Sequence, residues 1–222
     1  GQPKFIFAVT TGTHAPYKMS KKYAPLPLKI PEEIAQIMSV KDLNKKGIFN
    51  LYQFANRELA KFIAYIKKSK FADNTIIAVT GDHNLRELSK SPREDLFLRY
   101  ATPFYLYIPE KLKNKNIDVS VSGSHMDIMP TLYNLSLYDA KYVSFGNDLI
   151  NTADNIGLNI DGVVIQNDKV IKYNFPNDVI YSFIFDRNTK KLIQTEETQE
   201  HRNMKKYYKA VMTLCDIYVR SL

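Results

Sequence analysis

Residues 75–83 read Thr75-Ile76-Ile77-Ala78-Val79-Thr80-Gly81-Asp82-His83, an apolar run that meets a glycine and then presents a carboxylate and an imidazole side by side. A short β-branched run bounded by Asp73-Asn74 and by Gly81 predicts a buried strand. Open α/β sheets carry their chemistry just beyond the carboxyl ends of their strands. Asp82 and His83 therefore fall where such a fold keeps an active site. Upstream, Leu59, Phe62, Ile63 and Ile66 recur at i, i+3, i+4 and i+7 with lysines on the other face, which predicts a helix over residues 49–68. Residues 4–10 are apolar on both faces and read as a central strand. Strand, helix and strand in this order form the unit that builds a parallel sheet, so the expected class is α/β.

The rest of the chain is ordered around that unit. Residues 11–17 form a loop, and Pro25, Pro27 and Pro31 hold the following stretch extended. A polar loop over residues 84–100 leads to a strand over residues 102–108, closed by Pro109. A helix is expected over residues 124–137, with Ser124 or Asp127 capping its first amides and Pro130 in its early turns. Near residue 150 the text changes to short strands about polar turns, at residues 163–173 and again at 179–185 and 191–195. A terminal helix follows in which Met204, Tyr208, Val211, Cys215 and Tyr218 share a face, while His201 sits in a charged run and is expected in solvent. The expected organisation is a core over residues 1–150 and an antiparallel sheet with one covering helix over residues 151–222.

Composition bounds the function. The 222 residues suffice for one substantial core, and 45% hydrophobic with 24% charged residues is ordinary for a globular chain. The net charge of +8 is dispersed in Lys-Lys pairs, as on a solvated surface, and suits an anionic substrate or membrane face. No nucleic-acid motif accompanies it. The lone Cys215 offers no disulfide framework, and no run of apolar residues is long enough to span a bilayer.

Four segments, in order, resemble the alkaline phosphatase superfamily in its sulfatase-like branch, closest to the lipoteichoic acid synthase and phosphoglycerol (phosphoethanolamine) transferase group. They are Phe5-Ile6-Phe7-Ala8-Val9-Thr10-Thr11-Gly12-Thr13-His14-Ala15-Pro16-Tyr17, the strand ending in Gly81-Asp82-His83, Thr102-Pro103-Phe104-Tyr105-Leu106-Tyr107-Ile108-Pro109, and Ser124-His125-Met126-Asp127-Ile128-Met129-Pro130-Thr131. The resemblance implies a three-layer α/β/α core, present in part. It implies Asp82 and His83 as ligands of a divalent metal (Mn, Zn or Mg), and His14 as a contact to the transferred phosphate or a second metal. His125 and Asp127 fall in a segment that starts a helix behind the site, where a role in the fold is favoured over one in the reaction. Arg86 is an anion contact or a solvated loop residue. The family's Thr or Ser nucleophile and its acidic ligand match nothing here, and Thr10, Thr11 and Thr13 belong to the His14 loop.

The implied reaction attacks a phospholipid head group and passes it to a glycan or lipid acceptor. The parent protein is expected to be membrane-anchored, with its catalytic domain on the extracytoplasmic face. Two other readings stand: a sulfuric ester hydrolase, and a non-catalytic domain that binds anionic lipid or polysaccharide through its charge.

Overall fold

In a computed structural model the described residues are 4–14, 17, 19, 21, 23–32, 45–84, 96–113, 117–137 and 139–221. Contacts divide the chain into two compact units, one of residues 1–91 and 103–111, the other of residues 92–102 and 112–222.

In the first unit the helix α1 (Lys45–Lys68) is present and ends on Lys67 and Lys68, which oppose the negative end of its dipole. Its buried side chains are Ile48, Asn50 and Leu51 in the first turns, whereas Phe62 from the expected apolar face is exposed. The Pro25–Pro31 stretch is extended and tied to α1: Gln53 Oε1 accepts from the Tyr23 hydroxyl at 2.9 Å and from the Leu26 amide at 2.8 Å. A 3-10 turn at Ala72–Asn74 leads into strand β1 (Ile77–Thr80). Strand β2 (Phe104–Tyr107) pairs with β1 antiparallel, Ile77 opposite Tyr107 and Thr80 opposite Phe104.

The parallel strand expected over residues 4–10 does not form. Those residues are extended, carry no ladder, and leave Phe5, Ile6, Phe7 and Val9 exposed, Ile6 at 82%. A strand apolar on both faces needs a neighbour on each edge and cover on each face, and among the described residues it has neither.

In the second unit the sequence missed one strand and one helix. β3 (Ile156–Leu158), β4 (Val163–Gln166), β5 (Lys169–Asn174), β6 (Val179–Asp186) and β7 (Lys191–Gln194) form an antiparallel meander in chain order. The register puts like on like. Val164 faces Ile171 across the strands, Ile165 faces Val170, Val170 faces Phe183, and Phe185 faces Leu192. Alternation then sorts them onto two buried faces. Val170, Phe183, Phe185 and Leu192 cluster with Leu96 and Tyr100 of a short helix α2 (Leu96–Tyr100) that the sequence reading placed in a polar loop. Val164, Ile171 and Tyr173 cluster with Met204 and Tyr208 of the terminal helix α4 (Gln199–Ser221). The sheet thus has two covering helices instead of one. Full burial of side chains such as Ile171 and Val164 is worth roughly 1.5–3 kcal/mol each. No helix among the described residues is long and apolar enough to cross a membrane.

The third helix in chain order, α3 (Ile128–Ser136), starts from a 3-10 turn at His125–Asp127. Gly157 of β3 is obligatory beside it, because a Cβ there would run into the Gly123 carbonyl.

His201 is not in solvent but 1% exposed. It replaces the usual acid of a capping box: the Thr198 amide donates to His201 Nδ1 at 3.0 Å and the His201 amide donates to Thr198 Oγ1 at 3.4 Å. Nε2 is buried and, among the described residues, makes no hydrogen bond. Burial pushes the imidazole below its ordinary value of 6.5, the Lys169 cation adds to this, and Glu200, the Phe183 backbone and Glu197 oppose it. A group that binds its proton more weakly when folded stabilises the fold above the unfolded value and loses that contribution as pH falls. The urea midpoint of the chain should therefore fall as pH drops below 6.5. The His201→Gln variant, which keeps a cap acceptor but does not titrate, should flatten that dependence. Equal slopes for the two proteins would dismiss the role.

Candidate metal-binding site

The root of β1 is fixed by side chains around the 3-10 turn. The Tyr107 hydroxyl donates to the Ala72 carbonyl at 3.4 Å, Lys111 Nζ donates to Asn74 Oδ1 at 2.5 Å, and Lys67 Nζ lies 5.7 Å from the centre of the Tyr107 ring. The strand then leaves its ladder at Thr80, and Gly81 delivers Asp82 and His83 into solvent. The Asp82 side chain is 87% exposed and that of His83 64%.

The pair is ordered by its own backbone. The His83 amide donates to Asp82 Oδ1 at 2.9 Å, and His83 Nδ1 lies 2.9 Å from the Asn84 carbonyl. In the neutral imidazole, Nδ1–H donates to that carbonyl and the lone pair resides on Nε2. Nε2 is 3.4 Å from Asp82 Oδ2. A carboxylate oxygen and an imidazole nitrogen thus lie together at a strand end, the donor types that a hard or borderline divalent ion takes. The carbonyl bond to Nδ1 is the outer-shell contact that commonly fixes a ligand histidine. The donor set fits two ligands of a metal centre.

His14 sits in an exposed turn in which its amide donates to the Thr11 carbonyl at 3.1 Å. Among the described residues no three His, Cys, Asp or Glu side chains converge, so His14 is not gathered with Asp82 and His83 into a three-ligand group. Arg86 and Pro16 lie outside the described residues.

Residues 1–136 match the sulfatase family. The chain belongs to that family. The sulfatase-family match contains the β1 strand end and stops at the end of α3, but likeness to individual proteins continues through the meander. The chain is 24% identical to lipoteichoic acid synthase 1 of Bacillus subtilis over 97% of its own length and 32% of that protein. It is 25% identical to the lipoteichoic acid synthase of Staphylococcus aureus over 93% of its length and 31% of that protein. It thus spans about a third of the curated relatives it matches. The crystal structure of the lipoteichoic acid synthase LtaP from Listeria monocytogenes superposes with a TM-score of 0.71 at 20% identity, over 95% of this chain and 52% of that one. A protein of the alkaline phosphatase superfamily from Vibrio parahaemolyticus gives 0.63 at 17% identity, over 92% and 48%. The fold of this sulfatase-family chain is therefore a part of the alkaline-phosphatase-type α/β fold.

Asp127 and His125, in the second unit, part company. His125 is exposed, whereas Asp127 is 1% exposed and both its oxygens are engaged. Oδ2 accepts from the Ser124 amide at 2.7 Å and hydroxyl at 3.1 Å, and Oδ1 accepts from the Asn147 amide at 2.8 Å. The carboxylate caps one turn and ties down a loop twenty residues away in sequence. Its backbone carbonyl takes the Thr131 hydroxyl at 2.6 Å, whose oxygen accepts from the Leu149 amide at 3.0 Å. Asp127→Ala leaves buried amides unpaired and should cost about 2–3 kcal/mol of stability in urea unfolding. A loss under 0.5 kcal/mol, roughly the scatter of ordinary surface changes, would show the carboxylate is not structural.

Proposed function

We propose that this chain is part of a divalent-metal-dependent transferase that moves a phosphoglycerol- or phosphoethanolamine-type head group from an anionic phospholipid to a glycan or lipid acceptor. The observation that carries the reading is the Asp82–His83 pair, an oriented carboxylate and imidazole at the carboxyl end of β1 within the sulfatase-family match. Likeness to lipoteichoic acid synthases beyond residue 136, where the sulfatase match ends, favours a transferase over a sulfuric ester hydrolase.

In this reading Asp82 Oδ2 and His83 Nε2 hold the ion, with the Asn84 carbonyl fixing the imidazole tautomer. When bound, a divalent ion stabilises negative phosphoryl oxygens and makes a hydroxyl more nucleophilic. His14 contacts the transferred phosphate or a second ion. The nucleophilic Thr or Ser and the acidic ligand are contributed by sequence upstream, in a membrane-anchored parent facing the extracytoplasmic side. The exposed apolar run Phe5, Ile6, Phe7 and Val9 supports this, since its side chains find no cover among the described residues.

Titrating Mn²⁺ into the isotope-labelled chain should broaden the resonances of His83 and its neighbours first, and Asp82→Ala should abolish the effect. Equal broadening in Asp82→Ala would remove the proposed site. The wild-type chain alone should leave fluorescent phosphatidylglycerol intact, and cleavage that tracks Mn²⁺ would contradict the placement of the nucleophile.

A further inference from the structure

A second chemical feature lies in the sheet unit. α4 carries Arg202, Lys205, Lys206 and Lys209 at i, i+3, i+4 and i+7, so the four cations share one face of the helix. They line an open basin of about 580 Å³ together with Asp178 and Glu197. The two carboxylates are already committed. Asp178, at the left-handed end of the β5–β6 turn with φ 53°, takes Lys205 at 2.9 Å and Lys209 at 3.2 Å, and Glu197 takes Arg202 at 3.0 Å. Hydrogen bonds from Lys205, the Tyr173 hydroxyl and Lys209 hold the Asp178 carboxyl far below the usual carboxylate range, so these cations stay anchored through the neutral range.

Four cations thus face two carboxylates, and among the described residues Lys206 makes no ion pair. Lys209 keeps donors to spare beyond the Asp178 carboxylate, Lys205 keeps one beyond those it gives to the Asp178 carboxylate and carbonyl, and anchoring lowers the entropy lost when a ligand fixes them. Arg202 and Lys206, and likewise Lys205 and Lys209, are four residues apart on the helix, where side-chain roots lie roughly 5–6 Å apart, a spacing that suits consecutive phosphates of an extended chain. A flat anionic bilayer would meet Asp178 and Glu197 at the same moment as the lysines, and repulsion there disfavours it. Among the described residues that line the basin none is aromatic, so a base finds no ring there to stack on, which disfavours nucleic acid.

We propose that this basin is a binding surface for a linear phosphate polyanion, gripped by Lys206 and by the outward donors of Arg202, Lys205 and Lys209. It is independent of the metal-site reading.

The test is calorimetric titration of the 222-residue chain with a short inorganic polyphosphate. Lys206→Glu should weaken binding about fivefold or more, the effect of one cation at a polyanion. Glu197→Gln, which releases Arg202, should tighten it, a gain that misfolding cannot imitate. Lys68→Glu, the same charge change at a lysine that does not line the basin, should leave it within about twofold. Equal losses for Lys206→Glu and Lys68→Glu, or no gain from Glu197→Gln, would overturn the proposal. So would phosphatidylglycerol vesicles or oligothymidylate of equal charge binding more tightly than polyphosphate with the same Lys206 dependence, in favour of a membrane or nucleic-acid surface.

Discussion

A strand whose side chains are apolar on both faces must be covered twice, and much of this structure follows from that constraint. In the meander, β4 and β5 send Val163, Ile165 and Val170 to one side and Val164, Ile171 and Tyr173 to the other. A single helix covers only one face of such a sheet. α2 covers one and α4 the other, and the turns and caps around them serve to place those two helices. The same constraint applied to residues 4–10 gives the opposite outcome, an apolar segment exposed on all sides.

Covering the sheet also explains its buried polar groups. An interior leaves no water to satisfy amides at a helix start, so side chains must do it. His201 does this for α4 and Asp127 for the turn before α3. Both are titratable residues of kinds that sequence reading associates with chemistry. Here each is consumed by the backbone. Asp82 and His83 differ in this respect, because their backbone contacts orient the pair and leave Oδ2 and Nε2 facing one another in solvent. That difference, not residue type, separates a capping residue from a candidate ligand.

Charge followed the same rule of placement. Spread along the sequence, the lysines read as a solvated surface. On α4 the helical repeat gathers four cations on one side, and the Asp178 turn anchors two of them. The i, i+3, i+4, i+7 spacing was available in the sequence, but Asp178 lies far along the chain, and only the β5–β6 turn brings it to the helix.

Features that depend on near neighbours could be read from the chain alone. The β1 strand with Asp82-His83 at its end, the presence of α1 though not its buried face, the 163–173 hairpin, the Ser124–Asp127 cap and the family resemblance were legible, because each is written within a few residues or in a fixed order of short motifs. Partners distant in the chain were not. Residues 96–100, Leu-Phe-Leu-Arg-Tyr, are apolar but follow a polar run and are too few to show a helical period, and Leu96 and Tyr100 find their cover only against the meander. β1 and β2 pair antiparallel because strand direction depends on which edge is available, which periodicity does not encode. His201 looks solvated among charges until α4 turns its buried face to the sheet. Local hydrogen bonds and side-chain period are short-range and readable, whereas burial is a property of the whole packed unit and is decided only there.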